Sequence, residues 1–141
     1  MKPIIRKAAK SDKSSIFELA NQLHERVTVD EKVFDMHFES IIADEKHILM
    51  VAERDDEVVG YFSANMHYAI YANGKVMYLD EIVVMDSARG QKIGNLLMEE
   101  LETFAIEQNC ILISLATAGA SDFYNKLGFQ TKAGYYKKYL N

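Results

Sequence analysis

The most constraining feature of the sequence is the order of patterns around residues 89–94, Arg-Gly-Gln-Lys-Ile-Gly. They follow Lys75–Met85, a long strand pattern, and they lead into an amphipathic helix pattern. The helix pattern is carried by Ile93, Leu96, Leu97, Leu101, Phe104 and Ala105. Cys110–Ala116 is then an apolar run typical of a buried parallel strand. Strand, helix and parallel strand together predict a right-handed crossover with two glycines at its first turn.

The other patterns add strands and helices around this crossover. Strand patterns cover Pro3–Ala8, Ile48–Glu53, Val58–Tyr68 and Tyr135–Leu140. Helix patterns cover a segment that begins at Ser11 or Asp12 with Ile16, Leu19, Ala20 and Leu23 on one face, then Val33–Ala43 and Ala120–Leu127. Turn residues at Arg54–Glu57 and at Asn73-Gly74 predict that the central strands form an antiparallel meander. We therefore expect a mixed, mostly antiparallel sheet with helices against it.

Length and composition limit the classes of function. The 141 residues contain no repeat or linker, so residues 1–141 are expected to form one domain. The amino terminus lacks the apolar segment of a secretory signal and Cys110 is the single cysteine, which predicts a cytoplasmic protein. A net charge of −5 argues against a nucleic-acid partner. No run reaches the roughly 18 apolar residues of a membrane span, so no membrane partner is expected.

Gly90 and Gly94 stand where the backbone turns into the predicted helix. The first turn of a helix offers unpaired N–H groups and a positive dipole end, and glycines allow a ligand to approach the backbone closely. An anion site is one interpretation, and turn or packing glycines are the other. The stretch lacks the Gly-Lys-Ser/Thr ending of a Walker loop and the three-glycine spacing of a dinucleotide site.

A second motif favours the anion-site interpretation of Gly90 and Gly94. Residues 120–129, Ala-Ser-Asp-Phe-Tyr-Asn-Lys-Leu-Gly-Phe, follow the first motif by about thirty residues. With residues 89–94 they resemble the GNAT superfamily of acetyl-CoA-dependent N-acetyltransferases, whose motifs are R-x-x-G-x-G/A and A-x-x-F-Y-x-K-x-G-F. The chain departs at Lys92, which replaces a glycine, and at residues 117–119, where many members carry an asparagine. The resemblance spans essentially the whole chain.

The resemblance implies a fold and a cosubstrate. The fold is the α/β (α+β) GNAT-like fold, with a sheet of about six to seven strands, splayed between the fourth and fifth strands, and about four helices. The cosubstrate is acetyl-CoA, with its pyrophosphate on the amides of Gln91–Asn95 and its pantetheine arm paired with the backbone of Ile82–Val84. The residues implied in cofactor binding are Ile82, Val83, Val84, Arg89, Gly90, Gln91, Lys92, Ile93, Gly94, Asn95 and Tyr124.

Acetyl transfer to an amine needs a base, a polarised carbonyl and an acid for the leaving thiolate. Strand alternation predicts that Glu81 and Asp80 face opposite sides, and Glu81, on the side of Leu79 and Val83, is our candidate base. By resemblance Tyr124 is the candidate general acid. A backbone N–H near Val83 or Val84 is the candidate for polarising the carbonyl. The structural alternatives are a solvated or ion-paired Glu81 and a Tyr124 that serves only in aromatic packing.

The histidines and the cysteine carry less information. His24, His37, His47 and His67 show no spacing typical of metal ligands, so no metal site is predicted. His67 is kept as an alternative base because it lies near the end of a strand that leads to the site. Cys110 opens an apolar strand and is expected to be a core residue, so we expect direct attack by the amine in a ternary complex without an acyl-enzyme.

The acceptor is predicted from the charges of the first two helices. Acidic residues in or between them are Glu25, Asp30, Glu31, Asp35, Glu39, Asp44 and Glu45. An acidic wall would concentrate a cationic amine such as an aminoglycoside, a polyamine or a lysine side chain of a peptide, whereas the structural alternative is a solvated helix face. The Tyr78–Val84 strand also resembles that of glucosamine-phosphate N-acetyltransferases, which makes an amino sugar a second candidate acceptor.

Two non-enzymatic hypotheses complete the set. One is a domain that binds acetyl-CoA as a sensor or interaction module, and the other is a small α/β domain without a cofactor, in which the glycines only pack a helix against its sheet. The aromatic and lysine-rich tail is predicted to be an edge strand guarded by lysines. Such an edge near Tyr135–Leu140 also makes a homodimer possible.

Overall fold

The computed structural model describes residues 2–22 and 28–140 of the chain. Its strands are β1 (Ile4–Lys7), β2 (His47–Arg54), β3 (Glu57–Ala69), β4 (Gly74–Val84) and β5 (Cys110–Leu115). Its α-helices are α1 (Lys13–Ala20), α2 (Glu31–Ala43), α3 (Ile93–Glu107) and α4 (Ser121–Lys126). The predictions for Leu23, His24 and Glu25 fall outside the described residues.

The five strands form one sheet in the order β1-β2-β3-β4-β5. The first four strands pair antiparallel, and β5 pairs parallel to β4 after the α3 crossover. The tight turns match the sequence: Asn73 adopts a left-handed conformation with φ of 60° before β4, and Asp55 and Asp56 do so between β2 and β3. The predicted meander and crossover are confirmed.

The expected mixed, mostly antiparallel sheet with four helices is confirmed, but the described sheet has five strands, not six to seven. The strand predicted at Tyr135–Leu140 is absent, and residues 131–140 are exposed. The reason is visible in the sequence: Tyr135, Lys137 and Tyr139 would share one face, and Tyr136, Lys138 and Leu140 the other. Both faces would carry a lysine, so neither can be buried cleanly against the sheet.

The expected splay is present between β4 and β5. Their pairing ends at Leu79 and Leu115, whereas β4 continues to Val84. Residues Asp80–Val84 therefore have no strand partner on that side among the described residues, and we call this opening the gap. β5 is half-buried and not buried as the apolar run predicted, because its other edge has no strand partner in the described chain; Ile111 is 58% exposed.

Alternation along the strands builds a core on each face of the sheet. Ile48, Met50 and Ala52 of β2 pack into the core under α3 and α4, and Leu49 and Val51 pack into the core under α1 and α2. We call the two sides the α3 face and the α1/α2 face. The predicted apolar stripe of α3 is confirmed at Ile93, Leu97, Leu101 and Ala105, which are buried. Phe38 is the buried residue of the stripe predicted on α2.

The start of α1 is fixed by an ion-pair cluster. Asp12 is the N-cap residue of α1 and is buried. Its carboxylate accepts hydrogen bonds from Arg6 at 2.8 and 3.0 Å and from the Ala9 N–H at 2.7 Å. Arg6 also donates to Glu53 at 2.7 Å and so ties β1 to β2. The hydrogen bond from Arg6 holds the pKa of Asp12 below its ordinary value, which is favourable for a buried carboxylate.

Candidate active site

The loop before α3 has the backbone expected of an anion site. Gly90 has a φ of 81°, a conformation that favours glycine, and a Cβ built there would meet nothing within 4 Å. Lys92 is the N-cap residue of α3, with a left-handed φ of 63° and no side-chain cap. The first helical hydrogen bond is made by the Leu96 N–H to the Lys92 carbonyl at 3.2 Å. The amides of residues 93–95 therefore stand at an uncapped helix terminus.

Three cations surround this loop. Arg89 and Lys92 were predicted there, and both are exposed. Arg54, at the end of β2, was missed by the sequence analysis; its guanidinium donates to the side chain of Gln91. Arg89 is held by Asp86 at 3.1 Å and donates to the Val84 carbonyl at 3.5 Å. The positive charges and the helix terminus create a field that favours an anion.

The gap begins next to this loop. Ile82 and Val84 are half-buried, Val83 is buried, and all three belong to the part of β4 beyond its last pair with β5. On their other side they pair with Phe62, Gly60 and Tyr61 of β3. A strand with one unpaired edge can accept an extended ligand through its main chain, as an added strand would be accepted.

A β-bulge in β4 changes the predicted orientation of the acids. Ser63 is paired with Glu81 but the next residue, Ala64, is paired with Leu79, so Asp80 is an extra residue in β4. Leu79 consequently packs on the α3 face and Val83 on the α1/α2 face. The prediction that Glu81 shares a face with Leu79 is wrong, because alternation is interrupted between them.

The same bulge brings both acids to one side. The Tyr61 hydroxyl donates to Glu81 Oε1 at 2.8 Å, and Asn65 Nδ2 donates to Asp80 Oδ2 at 2.9 Å. Tyr61 and Asn65 are four residues apart on β3, so their side chains share the α1/α2 face. The prediction that Asp80 and Glu81 face opposite sides is therefore wrong.

Glu81 is half-buried, and its hydrogen-bond partner is a phenol rather than a cation. Tyr61 is completely buried, and burial together with the nearby Glu81 charge raises the pKa of the Tyr61 hydroxyl far above its ordinary value. The phenol is therefore a permanent donor near neutral pH. Within residues 2–22 and 28–140, Glu81 is therefore bound by a neutral phenol and forms no ion pair.

Tyr124 is buried on the α3 face, in the core that also contains Leu79 at the closed end of the gap. Its ring makes edge contacts with Phe123 and Phe129, at 5.1 and 5.8 Å between centroids. Burial raises the pKa of Tyr124 above its ordinary value, so the hydroxyl is protonated at neutral pH. Among the described residues the Tyr124 hydroxyl makes no hydrogen bond, whereas its ring packs in the core.

The sequence profile of the Acetyltransferase (GNAT) family matches residues 13–129, which include the loop, the gap and Tyr124. This chain belongs to the GNAT family. The family uses acetyl-CoA as its cosubstrate, and its N-acetyltransferases are acyltransferase enzymes.

Relatives of known activity cover most of the chain. A glucosamine 6-phosphate N-acetyltransferase of Arabidopsis thaliana is 29% identical over 145 residues, 97% of this chain and 96% of that protein. An aminoalkylphosphonate N-acetyltransferase of Salmonella typhimurium is 28% identical over 130 residues, 89% and 84% of the two chains. An uncharacterized N-acetyltransferase of Archaeoglobus fulgidus is 34% identical over 74 residues, so this chain spans half of its length.

The fold agrees with these matches. The crystal structure of the Arabidopsis thaliana glucosamine-6-phosphate N-acetyltransferase superposes with a TM-score of 0.86 at 26% identity, over 100% of both chains. The overall fold of this chain is therefore also that of a solved enzyme.

A row of polar side chains continues from Glu81 across the α1/α2 face. Ser63, opposite Glu81, is buried, and its hydroxyl lies 2.6 Å from His47 Nε2. Asn65 and Asp80, which are hydrogen-bonded to each other, continue the row. The sequence analysis missed His47, Ser63 and Asn65 because their proximity arises from strand register. His67, the alternative base, is exposed and pairs with Val76, in the part of β4 that β5 covers.

The acids on and around α2 are partly occupied by structural contacts. Asp35 and Glu39 pair with Lys13 and Lys10 at 3.3 and 3.8 Å. Asp30 caps α2 by accepting from the Val33 N–H at 3.0 Å, and Asp44 accepts from the Lys46 N–H at 2.9 Å. Glu31 and Glu45 are exposed. The predicted acidic wall is therefore largely a solvated helix face with caps and surface ion pairs.

The described residues form neither a metal-binding cluster nor a membrane-spanning helix. Residues 2–22 and 28–140 contain no group of three or more His, Cys, Asp or Glu that could hold a metal ion. Within the same ranges, no helix is both long enough and apolar enough to cross a membrane.

Proposed function

We propose that this protein transfers an acetyl group from acetyl-CoA to the primary amine of a small cationic acceptor. The observation that carries the proposal is the position of the gap. It opens between an uncapped helix terminus with three cations and a half-buried carboxylate held by a neutral phenol. The helix terminus and the cations would bind the anionic cosubstrate, and the carboxylate would accept a proton from the protonated amine.

The cofactor would lie along the gap. The amides of Gly90, Gln91, Lys92, Ile93, Gly94 and Asn95 hold the pyrophosphate, with the charges of Arg89, Lys92 and Arg54 beside them. The pantetheine arm pairs with the free edge of Ile82, Val83 and Val84. The thioester then lies at the closed end of the gap, near Leu79 and Tyr124.

Glu81 acts as the base and Tyr124 as the acid. Glu81 accepts a proton from the acceptor ammonium, directly or through water, and the freed amine nitrogen attacks the thioester carbonyl. A backbone N–H of Val83 or Val84 stabilises the oxyanion. The C–N bond forms and the C–S bond breaks, and the Tyr124 hydroxyl protonates the thiolate of CoA. The second proton that the nitrogen must lose to become an amide passes through water to the Tyr124 phenolate, and Glu81 releases its proton to solvent.

Attack is direct, without an acyl-enzyme. Cys110 opens β5 at the end opposite Leu115, about 17 Å from the gap at the rise of a strand. Burial raises the pKa of the Cys110 thiol, which disfavours the nucleophilic thiolate. The cysteine is therefore poorly suited to carry the acetyl group.

The acceptor side of the site supports a cationic amine. Asp80 and Glu81 both reach the α1/α2 face, and Asn65 lies beside Asp80. Two carboxylates favour an amine with additional positive charge, such as an aminoglycoside, a polyamine or a peptide lysine.

A phosphorylated amino sugar or an aminoalkylphosphonate is the alternative acceptor, because the relatives that cover most of the chain are named for such substrates. A phosphate would need a free cation on the acceptor side. Lys10 and Lys13 near α1 are paired with Glu39 and Asp35. In the described part of the chain, little of their positive charge is therefore left to bind a phosphate.

We further propose that two copies of the chain pair through the open edge of β5 together with the tail at residues 131–140. Unpaired strand edges promote association, and the nearby tail carries exposed Tyr135, Tyr136, Tyr139 and Leu140. Light scattering should give a dimer for the whole chain and a monomer for a chain that ends at Gln130. A monomeric whole chain would reject this proposal.

Function is tested by a thermal melt with acetyl-CoA, followed by thiol release with a panel of amines. The panel contains spermidine, kanamycin, a lysine peptide, glucosamine 6-phosphate and aminomethylphosphonate. Ligand at a hundred times its Kd adds about 2.7 kcal/mol of stability. Gly90→Val, which forces a branched side chain into a positive φ, should abolish the melt shift, whereas Gly134→Ala in the exposed tail should retain it.

The outcomes separate the hypotheses. A melt shift with thiol release establishes the enzyme, and the best amine gives its substrate class. A shift without thiol release for every amine favours a sensor or interaction module. No shift with acetyl-CoA or CoA at millimolar concentration rejects the cofactor site.

A further inference from the structure

Tyr61 carries a hydroxyl in a place where a phenylalanine would fill the same space. Its side chain is completely buried and packs in the core of the α1/α2 face with Phe38, Val51 and Val83. A buried phenol requires a hydrogen-bond partner, and the partner here is Glu81 Oε1 at 2.8 Å. The hydroxyl therefore links the core to the candidate base.

This contact restrains the carboxylate. A glutamate side chain has three rotatable bonds, and holding it in one geometry costs conformational entropy. The Tyr61 ring is locked by its neighbours, so its hydroxyl offers a fixed point for Oε1. Within residues 2–22 and 28–140 the other oxygen, Oε2, makes no hydrogen bond and remains available to accept a proton.

The bulge is what allows this pairing. Since Asp80 is an extra residue, Glu81 pairs with Ser63 and not with Phe62, a shift of one pair toward the turn between β3 and β4. Its side chain therefore points to the face where the Tyr61 ring lies. Val83, which pairs with Tyr61, is buried in the same core. The carboxylate and the phenol are thus diagonal neighbours on adjacent strands.

We propose that Tyr61 is a positioning residue for catalysis: its hydroxyl fixes Glu81 Oε1 so that Oε2 faces the acceptor amine. The inference rests on the proposed function, in which Glu81 is the base. Tyr61 does not itself exchange a proton with the substrate, because it is enclosed in the core and remains a donor throughout. Its contribution is to the orientation of the base and not to the binding of either substrate.

The test is a double-mutant cycle on turnover, measured by thiol release with the best amine. Tyr61→Phe should lower kcat about tenfold, as expected for one hydrogen bond to a charged group, with each KM within about twofold of wild type. Glu81→Gln should lower kcat further. Tyr61→Phe added to Glu81→Gln should have no additional effect, because the carboxylate that it positions is gone.

Two further variants make the interpretation specific. Glu81→Asp keeps the carboxylate but withdraws it from the phenol by one methylene, and it should lose at least as much kcat as Tyr61→Phe. Tyr68→Phe removes a hydroxyl from an exposed position on the same strand and should leave kcat unchanged. Each variant is first shown to be folded by its melt and by the shift that acetyl-CoA produces.

The inference and the proposed function fail differently. If wild type releases thiol but Tyr61→Phe retains its kcat, or lowers it equally in the Glu81→Gln background, only the positioning role is overturned. If wild type acetylates none of the amines, the proposed function fails and the role of Tyr61 in it is overturned as well.

Discussion

Gly94, in the first turn of α3, lies against the ring of Phe123 in α4: a Cβ built on Gly94 would be 3.5 Å from Phe123 Cζ. The two residues belong to the two motifs that are separate in the sequence. Their contact means that the proposed pyrophosphate loop and the proposed general acid, Tyr124, are held together by packing. A movement of α4 would therefore affect both.

This contact predicts different outcomes for small and large substitutions at Gly94. Alanine meets Phe123 at an ordinary van der Waals distance and favours the helix, so Gly94→Ala should stabilise the protein by about 0.5 kcal/mol. Gly94→Val should displace the Phe123 ring, lower the Tm and weaken acetyl-CoA binding. Melts and calorimetric titration with acetyl-CoA measure both effects. Equal affinity of the valine and alanine variants would contradict the coupling.

Lys92 has a left-handed backbone where the GNAT motif has a glycine. Lys92→Asn removes the charge but keeps a residue that tolerates this backbone, and it should raise the Kd for acetyl-CoA a few-fold at low salt. Lys92→Gly also removes the strain and should have the higher Tm of the two variants. Titrations at two salt concentrations test the charge. A Kd that is independent of Lys92 at both concentrations would mean that the side chain points away from the cofactor.

The cluster of Arg6, Asp12 and Glu53 predicts how stability depends on pH. Because Arg6 lowers the pKa of Asp12 in the folded protein, this carboxylate stabilises the fold at pH values above its unfolded pKa of about 3.9. The stabilisation is lost as the pH falls through the lower, folded pKa. Asp12→Asn should cost about 2 kcal/mol at pH 7 and much less at low pH.

Denaturant unfolding at a series of pH values measures this difference. Asp35→Asn is the matched control, since Asp35 pairs with Lys13 at 3.3 Å on the surface. Its cost should be below about 1 kcal/mol. If the Asp12→Asn cost does not shrink toward low pH, the ion pair does not explain the stability that Asp12 provides.

Much of the fold could be predicted because local patterns determine it. Alternation in β2, the Asn73 turn and the apolar stripe of α3 each depend on residues close in the chain. The crossover followed from their order. The motif at residues 120–129 indicated Tyr124 as the candidate general acid, and the structure packs this residue in the core under α3.

The predictions that were wrong or missing concern strand register and contacts between residues that are far apart in the sequence. A single extra residue, Asp80, has no sequence signature, yet it reverses the expected faces of Asp80 and Leu79 relative to Glu81. The contact of Tyr61 with Glu81 spans 20 residues, and that of Arg54 with Gln91 spans 37. Neither contact can be identified in the sequence before the pairing of the strands is known. The strand predicted at Tyr135–Leu140 does not form because lysines occupy both of its faces.

Arg54 gives a last prediction about a residue that the sequence did not indicate. It reaches from the end of β2 to Gln91 in the loop, so its charge lies next to the proposed pyrophosphate. Arg54→Met should raise the Kd for acetyl-CoA about threefold, the size expected for one partly exposed charge, and the effect should diminish in high salt. Lys46→Met, just before the opposite end of β2, is the matched control and should leave the Kd unchanged. An identical Kd for the two variants would place the pyrophosphate away from Arg54.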